Sequence, residues 1–225
     1  MIHHATLPFS WNEMQLETPQ SLQGGSFLTK ITMSDKPLYV YTPKCSTQGV
    51  ITSGTKQYIE MIVPTGPFIG WIDALEDRVQ ALLYEKRDSW FVTDSIDLDD
   101  IQNAFIPTLK TKQNVCTLRV YLPQTKTIKE PTLQVYDEYE SPISLSSIKD
   151  SIISILDITG VKFNQKCFQL VVNIRQIMVL SNSPFNGCMI KLKDNSTVPV
   201  EKGRKTEMDQ TKRVNENKNT YEVDE

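Results

Sequence analysis

Period-two runs on both sides of the chain's centre, one change to a helical stripe between them, and the grouping of helical signal in that one place predict the fold class. It is mainly β (α+β): an OB-like antiparallel Greek-key barrel with a long helix inserted at about 66–106. A sandwich with a helical insertion is the alternative architecture. The expected organisation is a flexible leader over 1–24, the barrel domain over 25–181 and a flexible charged tail over 182–225.

The elements follow in order. Residues 1–24 are polar, contain Pro8, Pro19 and Gly24, and show no sustained period, which reads as a loose leader. SFLTKITM places Phe27, Thr29, Ile31 and Met33 on one face. PLYVYTPK sets Leu38 and Val40 against Tyr39 and Tyr41. CSTQGVITSGT is rich in Ser, Thr and Gly and reads as a loop. YIEMIV then aligns Ile59, Met61 and Val63. The period next changes: Phe68, Ile72, Leu75, Val79 and Leu82 form one stripe, joined by Trp71 and Leu83, with Thr65 as the expected cap and Pro67 in the first turn. A shorter helix is expected from about Leu98 to Phe105.

Strands return with VCTLRVYLP, where Cys116, Leu118, Val120 and Leu122 oppose Arg119 and Tyr121. TLQVYDEYESPISL offers Leu133 and Val135 inward, Gln134 and Tyr136 outward, and a turn near Glu138 to Ser141. SIISILDITGVKF and CFQLVVNIRQIMVL complete the set, joined by a polar turn at Asn164 to Lys166. In the last strand Phe168, Leu170, Val172, Ile174, Met178 and Leu180 are expected on one face, with Gln169, Asn173 and Arg175 opposite. MIKLK offers one short further strand, and the mixed-sign tail ends in YEVDE.

Composition narrows the function classes. The chain has 225 residues, 39% apolar and 23% charged, and a net charge of -3. That balance argues against a generally basic coat but allows a local basic groove. The four cysteines, Cys45, Cys116, Cys167 and Cys188, form no C-x-x-C pair and have no histidine beside them, so no zinc site is expected. They read as reduced thiols. No signal-peptide pattern is present, and no apolar run reaches the roughly 18 residues of a membrane span. The expectation is a soluble intracellular protein with no membrane partner. The only histidines, His3 and His4, lie in the leader, and the nucleotide-binding, hydrolase and zinc-protease motifs are missing. Neither a catalytic residue nor a metal or cofactor is expected.

The outward positions carry the remaining signal. Tyr39, Tyr41, Tyr121 and Tyr136 each sit opposite an inward aliphatic face, and Arg119 and Arg175 share that outward phase. Lys44, Lys56, Lys110, Lys112, Lys162 and Lys166 fall at strand ends or in loops. Flat rings interleaved with cations suit single-stranded nucleic acid, whose bases stack while its phosphates meet positive charge. Two readings of the tyrosines stay open at this point: stacking on bases, or packing beneath the helix.

YVYTPK, FIGWIDALEDRVQALLYEKRDSW, CTLRVYLP, LQVYDEYESPISL and SILDITGVKFNQKCFQLVVNIRQIMVL together resemble the single-stranded DNA-binding proteins of nucleocytoplasmic large DNA viruses, which are similar in turn to OB-fold replication proteins of tailed phages. The resemblance spans roughly Phe27 to Leu180. Thr42-Pro43-Lys44 and the Gly160-to-Phe163 step carry most of it. It implies a non-catalytic protein that coats single-stranded DNA, or RNA, during viral replication, repair and recombination. The candidate contacts are Tyr39, Tyr41, Lys44, Lys56, Arg119, Tyr121, Tyr136, Lys162, Phe163, Lys166 and Arg175. The compartment it implies is the host-cell cytoplasm, at a viral factory, or the nucleus. Replication proteins reached through the tail and a homodimer are further partners it allows. The rival class is a minor virion or assembly protein without nucleic-acid affinity.

Overall fold

The computed structural model describes residues 2–54, 56–91, 96–123 and 133–181. The expected tail and the MIKLK strand lie outside the described residues. In chain order the strands are β1 (Ile2–His4), β2 (Met14–Leu16), β3 (Gln20–Leu22), β4 (Ser26–Met33), β5 (Lys36–Tyr41), β6 (Cys45–Ser53) and β7 (Lys56–Val63). The helices α1 (Pro67–Glu85), α2 (Arg87–Trp90) and α3 (Leu98–Ala104) follow. Then come β8 (Phe105–Ile106), β9 (Leu109–Lys112), β10 (Val115–Tyr121), β11 (Gln134–Tyr136), β12 (Asp150–Phe163) and β13 (Phe168–Leu180).

Five strands close on themselves. β6 pairs β7, β7 pairs β10, β10 pairs β13, β13 pairs β12, and β12 returns to β6. Every pair is antiparallel except β10 with β13. This closed barrel is OB-like, as the strand pattern predicted, and the helices are inserted between its second and third strands. Closure removes the exposed edges that an open sheet presents. Ile59, Met61, Leu118, Val120, Ile152, Leu156, Ile158, Val172 and Ile174 fill its interior and are buried. β4 and β5 add to the outside by pairing with β12.

The hairpin between β4 and β5 turns on Ser34 and Asp35, both with positive φ, as the right-handed twist of the flanking strands demands. β5 ends at Tyr41, and two residues on stands Pro43, which has no N–H. Just before it, the Thr42 N–H donates to the Ser154 carbonyl (2.9 Å) and the Thr42 hydroxyl accepts from the Ser154 N–H (2.9 Å), so a side chain completes the ladder.

Four expectations change. First, the Ser/Thr/Gly-rich segment read as a loop is β6, a barrel strand. Its polar residues serve a bulge: the Thr47 hydroxyl donates to the Glu60 carbonyl (2.8 Å) and accepts from the Gly49 N–H (3.2 Å). Gly49 has φ +101°, and a Cβ there would lie 2.6 Å from the Ile148 carbonyl oxygen. Second, the segment read as a loose leader carries β1, β2 and β3, which pair with β5 and β4, and buries Met14 and Leu16. Third, α1 is preceded by Gly66 with no side-chain cap, so Thr65 does not cap it, although Pro67 occupies the first turn. Its expected stripe is the buried face. Fourth, Met178 does not face inward: Ile177 is buried in its place. Ile155 registers with Gln176 while Leu156 registers with Ile174, which makes Arg175 an extra residue in β13. That bulge inverts the side-chain phase of the last strand.

A second irregularity lies at Gly160, where β4 crosses β12. A Cβ at Gly160 would fall inside the contact shell of the Thr29 carbonyl and 2.9 Å from Lys30 Cα. Only glycine lets the two backbones approach this closely.

Candidate nucleic-acid interface

Strand register places the outward side chains in lines across the barrel. Tyr39 on β5 registers with Asp157 on β12, Asp157 with Asn173 on β13, Asn173 with Tyr121 on β10, and Tyr121 with Tyr58 on β7. Registered partners share a sheet face, so three tyrosines, an asparagine and an aspartate form one transverse row. Four inter-strand steps span about 19 Å. Tyr41 stands one pleat away on β5, in register with Ile155.

The β7–β10 end of the row is the most organised. The Tyr58 and Tyr121 rings meet edge-on at 6.2 Å. The Arg119 guanidinium lies over the Tyr58 ring at 4.4 Å, and the Lys56 ammonium is 5.7 Å from the Tyr121 ring centre. Arg119 also donates to the Glu60 carboxylate from Nε (3.1 Å) and Nη2 (2.6 Å), and that bond holds its pKa above the ordinary arginine value. Tyr58 was absent from the sequence candidates. Its signal was available: it opposes Ile59 as Tyr121 opposes Val120.

In the middle of the row Arg175 donates from Nε to the Asp157 carboxylate (2.9 Å), and Asn173 donates to the Thr159 hydroxyl (2.8 Å). The Asp157 side chain is 6% exposed and that of Arg175 48%. Arg175 thus compensates a buried acid at the bulge that it creates. Tyr41 stacks on His4 of β1, ring centres 4.4 Å apart. Neither Tyr39 nor Tyr41 is packed away: both are half-buried, as are Tyr58, Tyr121 and Tyr136.

The lysines divide by place. Lys44 follows Pro43 beyond β5, and Lys56 opens β7. Lys162 near the end of β12 and Lys166 in the turn before β13 are exposed at one end of the barrel. The Asn164 side chain accepts the Lys166 and Cys167 N–H groups (2.8 and 3.1 Å) and shapes that turn. Phe163 is buried, a position that does not suit direct base contact. Its ring lies between Phe27 (5.6 Å) and Phe168 (5.8 Å), with Phe91 against its edge, and this group closes the barrel end. Phe27, in the phase of Thr29, Ile31 and Met33 and in register with Phe163, is 41% exposed.

Among the described residues no group of histidine, cysteine, aspartate or glutamate is placed to hold a metal ion, and no helix is long and apolar enough to cross a membrane.

No protein-family description matches the chain, and no curated protein matches it. Among solved structures it is similar to gp2.5, a single-stranded DNA binding protein encoded by bacteriophage T7, at 11% identity, covering 73% of this chain and 100% of that one, with a TM-score of 0.46. It is also similar to the single-stranded DNA-binding protein from bacteriophage Enc34, at 9% identity over 79% of this chain and 96% of that one, TM-score 0.43. The same Enc34 protein in complex with single-stranded DNA gives 9% identity, 74% and 97% coverage and a TM-score of 0.43.

Proposed function

We propose that the chain is a non-catalytic, sequence-tolerant single-stranded DNA-binding protein that acts in replication, repair or recombination. The observation that carries this reading is the transverse row Tyr39–Asp157–Asn173–Tyr121–Tyr58 on the outside of an OB-like barrel. Half-buried rings held by neighbours offer flat surfaces at low entropic cost, and each base stacked on such a ring contributes about 1–3 kcal/mol whatever its identity. Strands two and three of an OB barrel and the loops beside them are a common oligonucleotide surface. Here those strands are β7 and β10, which carry Lys56, Tyr58, Arg119 and Tyr121. Arg119 and Arg175, beside the row, already hold the Glu60 and Asp157 carboxylates, so the phosphate contacts fall mainly to Lys56, Lys162 and Lys166. Setting this in a large DNA virus, with the viral factory or nucleus as compartment, rests on the sequence resemblance between Phe27 and Leu180.

Fluorescence anisotropy with a labelled dT oligonucleotide tests the reading. Three neutralised phosphates give a log–log salt slope of about −2. Absence of salt-sensitive binding at low ionic strength overturns it.

A further inference from the structure

A cavity of about 460 Å³ opens between β5, β12, β13 and β11, beside the transverse row. Its floor is apolar, made by Ile153, Ile155 and Met178. Register explains its walls. Tyr41 pairs with Ile155 from the β5 side, and Tyr136 pairs with Met178 from the β11 side, so two rings flank the floor from opposite strands. Glu140 lines the opening with a carboxylate, which only accepts, while the Tyr41, Tyr136 and Ser154 hydroxyls and the Gln176 amide, whose Nε2 donates to the Gln134 side-chain oxygen (3.2 Å), are the other polar groups.

We propose that this cavity receives a single nucleobase of the bound strand and favours guanine. The inference rests on the single-strand reading above. An apolar floor between two aromatic walls fits a flat heterocycle. The Glu140 carboxylate, which can only accept, selects by hydrogen-bonding edge. Guanine alone presents two adjacent donors, N1–H and the 2-amino group, which match one carboxylate in a bidentate pair. Adenine and cytosine offer one amino donor beside a ring-nitrogen acceptor, and thymine sets a lone N–H between two carbonyls; each turns a lone pair toward the carboxylate. The rest of the row stacks any base, so the cavity adds a preference at one position to otherwise tolerant binding.

The test uses the full chain and three labelled oligonucleotides: all dT, dT with one central guanine, and the same strand with hypoxanthine, which lacks the 2-amino group. Glu140 is exposed, so the guanine strand should bind up to about fivefold tighter than all dT. Hypoxanthine should lose most of that gain. In Glu140→Gln and in Tyr136→Ala the ratio of guanine-strand to dT affinity should fall to about one. Equal affinities in the wild type, or a ratio that survives Glu140→Gln, overturn the cavity assignment while leaving dT binding intact. Failure to bind all three strands overturns the single-strand reading and the cavity with it.

Discussion

Replacing Arg175 by alanine distinguishes a guanidinium that supports the barrel from one that serves phosphate. Asp157 sits in the transverse row with its side chain 6% exposed, and Arg175 is its ion-pair partner. Stranding a fully buried carboxylate costs about 3–5 kcal/mol. The guanidinium is 48% exposed, so its removal lets water reach the acid, and the expected loss falls to about 2 kcal/mol. For a domain of this size that corresponds to a melting temperature lower by about 4–8 °C. Asp157→Asn in the same background should recover part of the loss, because no charge is then stranded. Affinity for a dT oligonucleotide should change less than about threefold, since Asp157 already neutralises the arginine. Thermal melts and anisotropy on the two variants decide the matter. Unchanged melting combined with tenfold weaker dT binding would refute the reasoning and make Arg175 a phosphate ligand.

Three further outcomes are expected. Gly160→Ala should destabilise by more than about 2 kcal/mol and strip hydrogen-exchange protection from Thr29 and Lys30, because β4 must leave β12; a wild-type melt would contradict the close-approach argument. Tyr121→Ala should weaken dT binding by on the order of 1 kcal/mol or more while Tyr121→Phe retains it, and equal affinity of all three proteins would return the ring to packing alone. Burial pushes the Cys45 thiol from 9.0 up to about 11, so its contribution to stability is fully present below pH 9.0 and lost as pH rises through about 11. Iodoacetamide at neutral pH should therefore label the half-buried Cys116 and Cys167 and spare Cys45, and rapid labelling of Cys45 would contradict its burial.

Strands with clean alternation were legible in sequence. Leu38/Val40, Ile59/Met61/Val63 and Leu118/Val120 are all buried as their period requires, and the α1 stripe is its buried face. What failed has local causes. β6 hid behind Ser, Thr and Gly because its bulge needs a hydroxyl at 47 and a positive φ at 49, and both look like loop chemistry. The first strands were hidden by their length, three residues each, too short to show a period. The bulge at Arg175 cannot be read from alternation, since it is the point where alternation breaks. Of the candidate site, Tyr39, Tyr121 and Arg175 fall in or beside one row, and Tyr41 and Tyr136 flank one cavity. Phe163 lies at a strand end, where sequence suggests exposure, but the rings of Phe27, Phe91 and Phe168 pack around it and bury it.

The most direct test of the central claim is photo-crosslinking of a dT oligonucleotide carrying 5-iododeoxyuridine, with the modified residues identified by mass spectrometry. The transverse row predicts adducts on Tyr121, Tyr58 or Tyr39, suppressed at high salt. Adducts confined to α1, or none at low salt, would contradict it.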